Sequence, residues 1–143
     1  MLRIPRDQVE CYDEDTFMYK GVPLTGIVYV KDQDGILLME ETYLVGYKTG
    51  KLTHWNAKTL KVSYEGTCLL NAAHGTMYSY YPSGQLRSEE RCEYGVPVAW
   101  KEYDENGKLT KESGALSDGN RRLIEKRKPV VDAWFNENKH LLS

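Results

Sequence analysis

The feature that most constrains this chain is a pattern of glycines and flanking residues that recurs along it. When the sequence is shifted by 49 residues against itself, six identities fall within the 21 positions from 26 to 46. Ordinary residue frequencies would give about one or two. Such self-similarity is typical of a chain built from one repeated supersecondary unit. The identities are Gly26 with Gly75, Gly35 with Gly84, Leu37 with Leu86, Glu40 with Glu89, Glu41 with Glu90, and Gly46 with Gly95.

A shorter period lies inside the longer one. A shift of 23 residues aligns Tyr80 with Tyr103, and it also aligns the two turn glycines 84 and 107. Two short units therefore make up one 49-residue repeat, and the chain holds four. The units begin near Gly26, Gly50, Gly75 and Val98, at steps of 24, 25 and 23 residues.

Each unit is predicted to be a β-hairpin. In the third unit, strand-forming residues fill positions 75–81, a Pro-Ser-Gly turn follows at 82–84, and an alternating strand returns over 85–92. Glycine favours such turns because it adopts positive φ without a Cβ clash. The second unit lacks the turn glycine over 55–60, but we still interpret it as a hairpin.

The third unit resembles the variant MORN repeat. The resemblance rests on Gly75-x4-Tyr80-Tyr81-Pro82-Ser83-Gly84-Gln85-Leu86-Arg87-Ser88-Glu89. The opening segment 19–26, followed by Glu40-Glu41-x-Tyr43-x2-Gly46, is similar to bacterial antitoxins that carry such repeats. The resemblance covers roughly residues 19–113. The chain departs from the pattern in the glycine-free second unit, in Val98 where a glycine is expected, and in Cys92 where a tyrosine is usual.

The predicted fold is mainly β, an elongated antiparallel sheet of eight to ten strands from tandem hairpins in one domain. Residues 1–18 form an N-terminal leader with the first strand, 19–113 the four repeats, and 114–143 a helical cap over the last hairpin. Ser117 is predicted to start one helix that runs to Arg127, and Pro129 a second helix.

The composition and motifs argue against catalysis and cofactors. The net charge of −2 gives no general attraction to nucleic acid or anionic lipid. Three scattered cysteines fit reduced thiols, so we expect a cytoplasmic protein. No histidine has metal-ligand spacing. The pairs Glu40-Glu41 and Glu89-Glu90 recur with the repeat, which indicates a role in the fold rather than in acid–base chemistry.

Aromatic and acidic side chains are the candidate partner-binding residues. Met77 and Tyr80 are three residues apart and should point to opposite sheet faces, one forming core and the other an exposed aromatic ladder. The acidic run near the N-terminus could meet a basic partner. A basic helix cluster (Arg121, Arg122, Lys126, Arg127 and Lys128) is interpreted as a solvated face. The binding candidates are Tyr78, Tyr80, Trp100, Tyr103, Trp55, Asp13, Glu14 and Asp15.

The resemblance implies a bacterial antitoxin or immunity protein that is not an enzyme. Such a protein would neutralise a cognate toxin, for example a nuclease or deaminase, by stoichiometric occlusion of its active site. No metal, cofactor, nucleic acid or membrane is implied as a partner, and a homodimer is compatible with the pattern. The alternative is a MORN-type scaffold that dimerises or associates with a membrane surface. A carbohydrate or small-ligand binder that uses the aromatic ladder is a third possibility.

Overall fold

A computed structural model describes residues 1–13 and 15–142. Over these residues the chain forms a ten-stranded sheet, a separate three-stranded sheet and one C-terminal helix. The strands are β1 Arg3–Pro5, β2 Glu10–Cys11, β3 Phe17–Tyr19, β4 Val22–Pro23, β5 Gly26–Lys31, β6 Leu37–Leu44, β7 Tyr47–Trp55, β8 Val62–Leu69, β9 Ala72–Ala73, β10 Gly75–Tyr80, β11 Leu86–Glu93, β12 Val96–Tyr103 and β13 Leu109–Glu112. The helix α1 spans Asp118–Asn138, and 3-10 turns span Arg6–Gln8 and Lys139–Leu142.

The main sheet follows the order of the chain. Its strand order is β1-β5-β6-β7-β8-β10-β11-β12-β13, and the short β9 also pairs with β8. The hairpins β5–β6, β7–β8, β10–β11 and β12–β13 are the four predicted units, including the second unit without its glycine. The mainly antiparallel hairpin fold is therefore confirmed. Two features were not predicted: β1 pairs in parallel with β5, and β2, β3 and β4 form their own sheet.

The hairpins share an irregularity as well as a turn. In each one, an extra residue on the returning strand lies between two registered pairs, just after the loop. This bulge recurs because each unit must bend its strand at the same place. The strands that follow on the chain pair only with the regular part beyond the bulge. The extra residues are Leu38, Ser63, Arg87 and Thr110.

The connections between strands at the other end of the sheet are two-residue turns with positive φ at both positions. Val45-Gly46 joins β6 to β7 with φ of 47° and 86°, and Tyr94-Gly95 joins β11 to β12 with φ of 52° and 81°. Such turns match the right-handed twist of the strands that they connect. The predicted closing glycines, 46 and 95, are thus explained by backbone geometry.

The two faces of the main sheet differ. The core face carries Ile4, Val28 and Tyr43, which pack with Leu24 against the aromatic rings of the three-stranded sheet. Phe17 meets Tyr43 edge to face, with ring centroids 5.1 Å apart. The opposite face, which we call the open face, carries a polar and aromatic row that contains Glu65, Tyr78 and Glu89.

Gly66 is required on the core face by a close neighbour rather than by a turn. A Cβ at this position would lie 2.3 Å from Met77 Sδ and 3.1 Å from Met77 Cα. Gly66→Ala should therefore overpack the core and lower the free energy of unfolding by about 1–3 kcal/mol. Urea unfolding measures this loss. Gly114→Ala, where a Cβ meets nothing within 4 Å, is the matched control and should change stability little; equal losses in the two variants would contradict this packing.

The C-terminal segment is one continuous helix, so the prediction of a second helix starting at Pro129 is wrong. Proline inside a helix removes a hydrogen bond and costs about 3 kcal/mol. The helix persists because it is held to the sheet on both sides of Pro129. Arg127 and Lys128 bond to Tyr94 on one side, and Asp132 bonds to the same residue on the other. The predicted start is confirmed, since Ser117 Oγ accepts the Asn120 amide at 3.1 Å.

Helix α1 covers the turn ends of the hairpins rather than the last strand. Tyr94 is the centre of this contact: its hydroxyl donates to Asp132 Oδ1 at 2.7 Å, and its carbonyl accepts from Arg127 at 2.8 Å. Farther along the helix, Trp134 packs edge to face on Tyr47, with ring centroids 5.7 Å apart. All four residues of β13 remain exposed. In the described part of the chain, no helix combines the length and the apolarity needed to cross a bilayer.

Candidate protein-binding surface

A row of directly opposed residues crosses the open face from one edge strand to the other. The register pairs Glu65 with Tyr78, Tyr78 with Glu89, and Glu89 with Lys101. Alternate strands contribute a glutamate because each hairpin places the same residue on its returning strand. The full row is Pro5, Tyr29, Glu40, Thr53, Glu65, Tyr78, Glu89, Lys101 and Glu112.

An aromatic row lies beside the glutamates and fixes two of them. Tyr80 donates its hydroxyl to Glu65 Oε1 at 2.9 Å, and Tyr103 donates to Glu89 Oε1 at 2.9 Å. The same bond therefore forms in two successive hairpins. Burial and the bond to Glu65 raise the pKa of Tyr80 to about 12. The bond to Glu89, followed by burial, raises the pKa of Tyr103. Both hydroxyls thus remain protonated donors at neutral pH.

The structure divides the predicted aromatic residues between the faces. Tyr78, Tyr80 and Tyr103 lie on the open face, where Trp55 lines a groove with Glu40, Thr53 and Glu65. Trp100 does not join them, because the register sets it opposite Glu90 on the core face. Met77 is likewise opposite Glu90 and is 5% exposed. The prediction that Met77 and Tyr80 point to opposite faces is confirmed.

A groove of about 400 Å³ lies on the open face near the last hairpin. Tyr78 and Glu89 line it together with Arg91, Ala99 and Lys101. The groove exists because Ala99 is short and lies directly opposite Arg91, whose guanidinium reaches toward Glu93 at 3.9 Å. The arrangement offers one aromatic ring between acidic and basic groups, a surface suited to polar protein contacts.

The predicted acidic run lies away from this row. Asp13 is a loop residue whose Oδ1 accepts the amides of Asp15 and Thr16 at 2.9 and 2.8 Å, and these bonds lower its pKa. The Asp15 carbonyl accepts from Asn71 Nδ2 at the turn end of the sheet. Glu14 lies outside the described residues. The carboxylate of Asp13 thus shapes its own loop.

The recurring glutamate pairs do not act together. Glu40 and Glu41 point to opposite faces, as do Glu89 and Glu90, because neighbours on a strand alternate. Glu40 forms an ion pair with Arg3 on the open face. No group of three His, Cys, Asp or Glu residues that could hold a metal ion occurs among residues 1–13 and 15–142.

Glu41 anchors a polar cluster on the core face that the sequence did not reveal. Its side chain accepts from Lys48 Nζ at 3.2 Å and lies 2.9 Å from His54 Nε2 and 3.4 Å from the Tyr43 hydroxyl. Burial acts to raise the pKa of Glu41, but the bond to His54 and the charge of Lys48 outweigh it, so the pKa is lowered. Burial and the Glu41 charge raise the pKa of Tyr43. The cluster is a paired, structural set of charges.

Two further residues were missed by sequence reasoning. Glu65 carries the row across the second hairpin, at steps of 25 residues from Glu40 and 24 from Glu89. A search at those intervals would have found it, but the lost turn glycine obscured the unit. Tyr94 had no signal, because its contacts come from a distant helix.

Comparison with known families matches the last two hairpins. The MORN repeat variant matches residues 73–91 and 98–113, which contain β10–β11 and most of β12–β13. The chain contains a MORN-repeat-variant domain. Each matched MORN repeat variant supplies one glutamate of the row and the tyrosine that precedes its turn. No curated protein and no solved structure matches the chain.

Proposed function

We propose that this MORN-repeat-variant protein acts by binding another protein on the open face of its sheet. The observation that carries the proposal is the alignment of Trp55, Tyr80 and Tyr103 beside one cross-strand row. Tyrosine and tryptophan are enriched in binding hot spots because they bury a large rigid surface and keep a polar tip. The core face, in contrast, is already used for packing.

The dimensions of the open face support the proposal. The path of nine strands spans about 38 Å at a strand spacing of about 4.8 Å, and six paired residues span about 20 Å. The product, about 760 Å², is close to the roughly 800 Å² that each partner buries in a specific complex. The hairpins thus supply enough surface for one protein partner.

The specific form of the proposal is an antitoxin or immunity protein. The similarity of segment 19–26 and of Glu40–Gly46 to bacterial antitoxins supports it. The protein would cover the active site of a cognate toxin, one to one, in the cytoplasm, without catalysis of its own. Support comes from the alternation of the glutamate pairs and from three free cysteines, of which Cys92 is buried with its pKa raised to about 12.

Co-expression with the product of the adjacent reading frame tests this proposal. We expect the wild-type chain to restore growth of cells that express that product, and to co-purify with it in a 1:1 ratio. Trp55→Ala combined with Tyr103→Ala should remove the central hot spot and abolish both effects.

Tyr12→Ala is the matched control, because Tyr12 is 81% exposed and lies outside the open face. It should leave rescue and co-purification unchanged. Thermal melts establish that the aromatic variants remain folded. An adjacent product that neither harms cells nor binds the chain would contradict the antitoxin form, and a binding partner unaffected by Trp55→Ala with Tyr103→Ala would contradict the open face.

A further inference from the structure

The centre of the open face holds two glutamates on either side of a tyrosine ring. Glu65 and Glu89 both lie directly opposite Tyr78, on its two neighbouring strands. At the usual strand spacing, their backbones are about 9.6 Å apart. The Tyr78 ring is half-buried between them. The register thus creates one aromatic floor with a carboxylate on each side.

These two carboxylates are held in place but lack a cation. Tyr80 and Tyr103 each occupy one oxygen, as described above. Among residues 1–13 and 15–142, no Lys, Arg or His nitrogen lies within 4.0 Å of either carboxylate. Glu40 in the same row has Arg3, and Glu41 has Lys48 and His54. The central pair differs from its neighbours on the sheet in this respect.

The nearest basic residue on the same strand does not fill the gap. Arg91 lies two residues from Glu89, but its guanidinium is directed to Glu93, on the far side from Glu89. Lys101 lies directly opposite Glu89, and its ammonium remains more than 4.0 Å from that carboxylate. A cation supplied by another molecule can therefore reach Glu65 and Glu89.

We infer that Glu65, Tyr78 and Glu89 receive an arginine or lysine side chain from a basic surface of the partner protein. The inference rests on the proposed function and specifies the chemistry of the partner. A guanidinium above the Tyr78 ring gains a cation–π contact and charge-assisted hydrogen bonds from the free carboxylate oxygens. Arginine fits better than lysine, because its planar group stacks and bonds at the same time.

Binding of hexa-arginine to the full chain, followed by fluorescence anisotropy at low salt, tests the inference. Glu65→Gln with Glu89→Gln keeps oxygen acceptors for both tyrosines, so the fold should be retained. We expect this double variant to weaken binding at least tenfold, and hexa-lysine to bind the wild-type chain more weakly. The matched control, Glu102→Gln with Glu105→Gln, removes the same charge elsewhere and should change binding less than twofold. Equal weakening in the two double variants, or none in either, would overturn the inference.

The same variants separate this inference from the proposed function. Loss of toxin neutralisation in both the glutamine double variant and Trp55→Ala with Tyr103→Ala supports both. Neutralisation that is lost only in the aromatic variant leaves the proposed function in place and overturns the cation site. Neutralisation that survives in both variants overturns the open face as the binding surface.

Discussion

Tyr94→Ala should release helix α1 from the sheet and lower the free energy of unfolding by about 3–5 kcal/mol, as expected for truncation of a buried aromatic ring. The Tyr94 residue is only 7% exposed. It packs on His74 with ring centroids 4.5 Å apart, and it carries the bonds to Arg127, Lys128 and Asp132. Without these contacts, a helix interrupted by Pro129 has little stability of its own.

Urea unfolding and hydrogen exchange of the α1 amides measure the two parts of this prediction. The α1 amides should exchange much faster in Tyr94→Ala, whereas the central strands remain protected. Tyr94→Phe keeps the ring and loses only the hydroxyl bonds, so it should cost about 1 kcal/mol. Unchanged protection of α1 in Tyr94→Ala would show that Tyr94 does not hold the helix.

Glu41→Gln should lower the free energy of unfolding by about 3 kcal/mol at neutral pH. Removal of one partner from a buried ion pair costs about 3–5 kcal/mol, and we take the lower end because Lys48 and His54 are partly exposed and regain water. Glu41 itself is 4% exposed. Glu40→Gln is the matched control on the same strand, because its pair with Arg3 lies at the surface and should be worth less than about 1 kcal/mol.

The effect of Glu41 should depend on pH in one direction. The folded state lowers the pKa of Glu41 below its ordinary value of 4.5. Its contribution is therefore complete above about pH 4.5 and is lost as the pH falls through the lower, folded-state pKa. Urea unfolding from pH 7 to pH 3 should show the wild type converging on Glu41→Gln. A stability difference that stays constant over this range would contradict the prediction.

The part of the fold that sequence predicts is the part fixed by local backbone geometry. Gly84 and Gly107 adopt φ of 95° and 85° in the hairpin loops, a conformation that glycine favours and that therefore repeats with the unit. Strand alternation then separates Met77 from Tyr80. The second hairpin shows the limit of this rule, because its loop is built without glycine: Asn56 Oδ1 accepts the amides of Lys58 and Thr59.

The parts that sequence does not predict depend on distant contacts. The parallel pairing of β1 with β5 joins residues about two dozen positions apart, with no turn to announce it. Helix α1 continues through Pro129 because Tyr94 holds it on both sides. Trp100 aligns with Met77 in the repeat and therefore belongs to the core face, so repeat position is a better guide to its role than its residue type.

Hydroxyl-radical footprinting of the aromatic side chains, with and without the partner, tests the central claim most directly. We predict that Trp55, Tyr80 and Tyr103 become protected on binding, while Tyr12 remains reactive. Protection confined to Tyr12 and the exposed surface of helix α1, with an unchanged open face, would contradict the account.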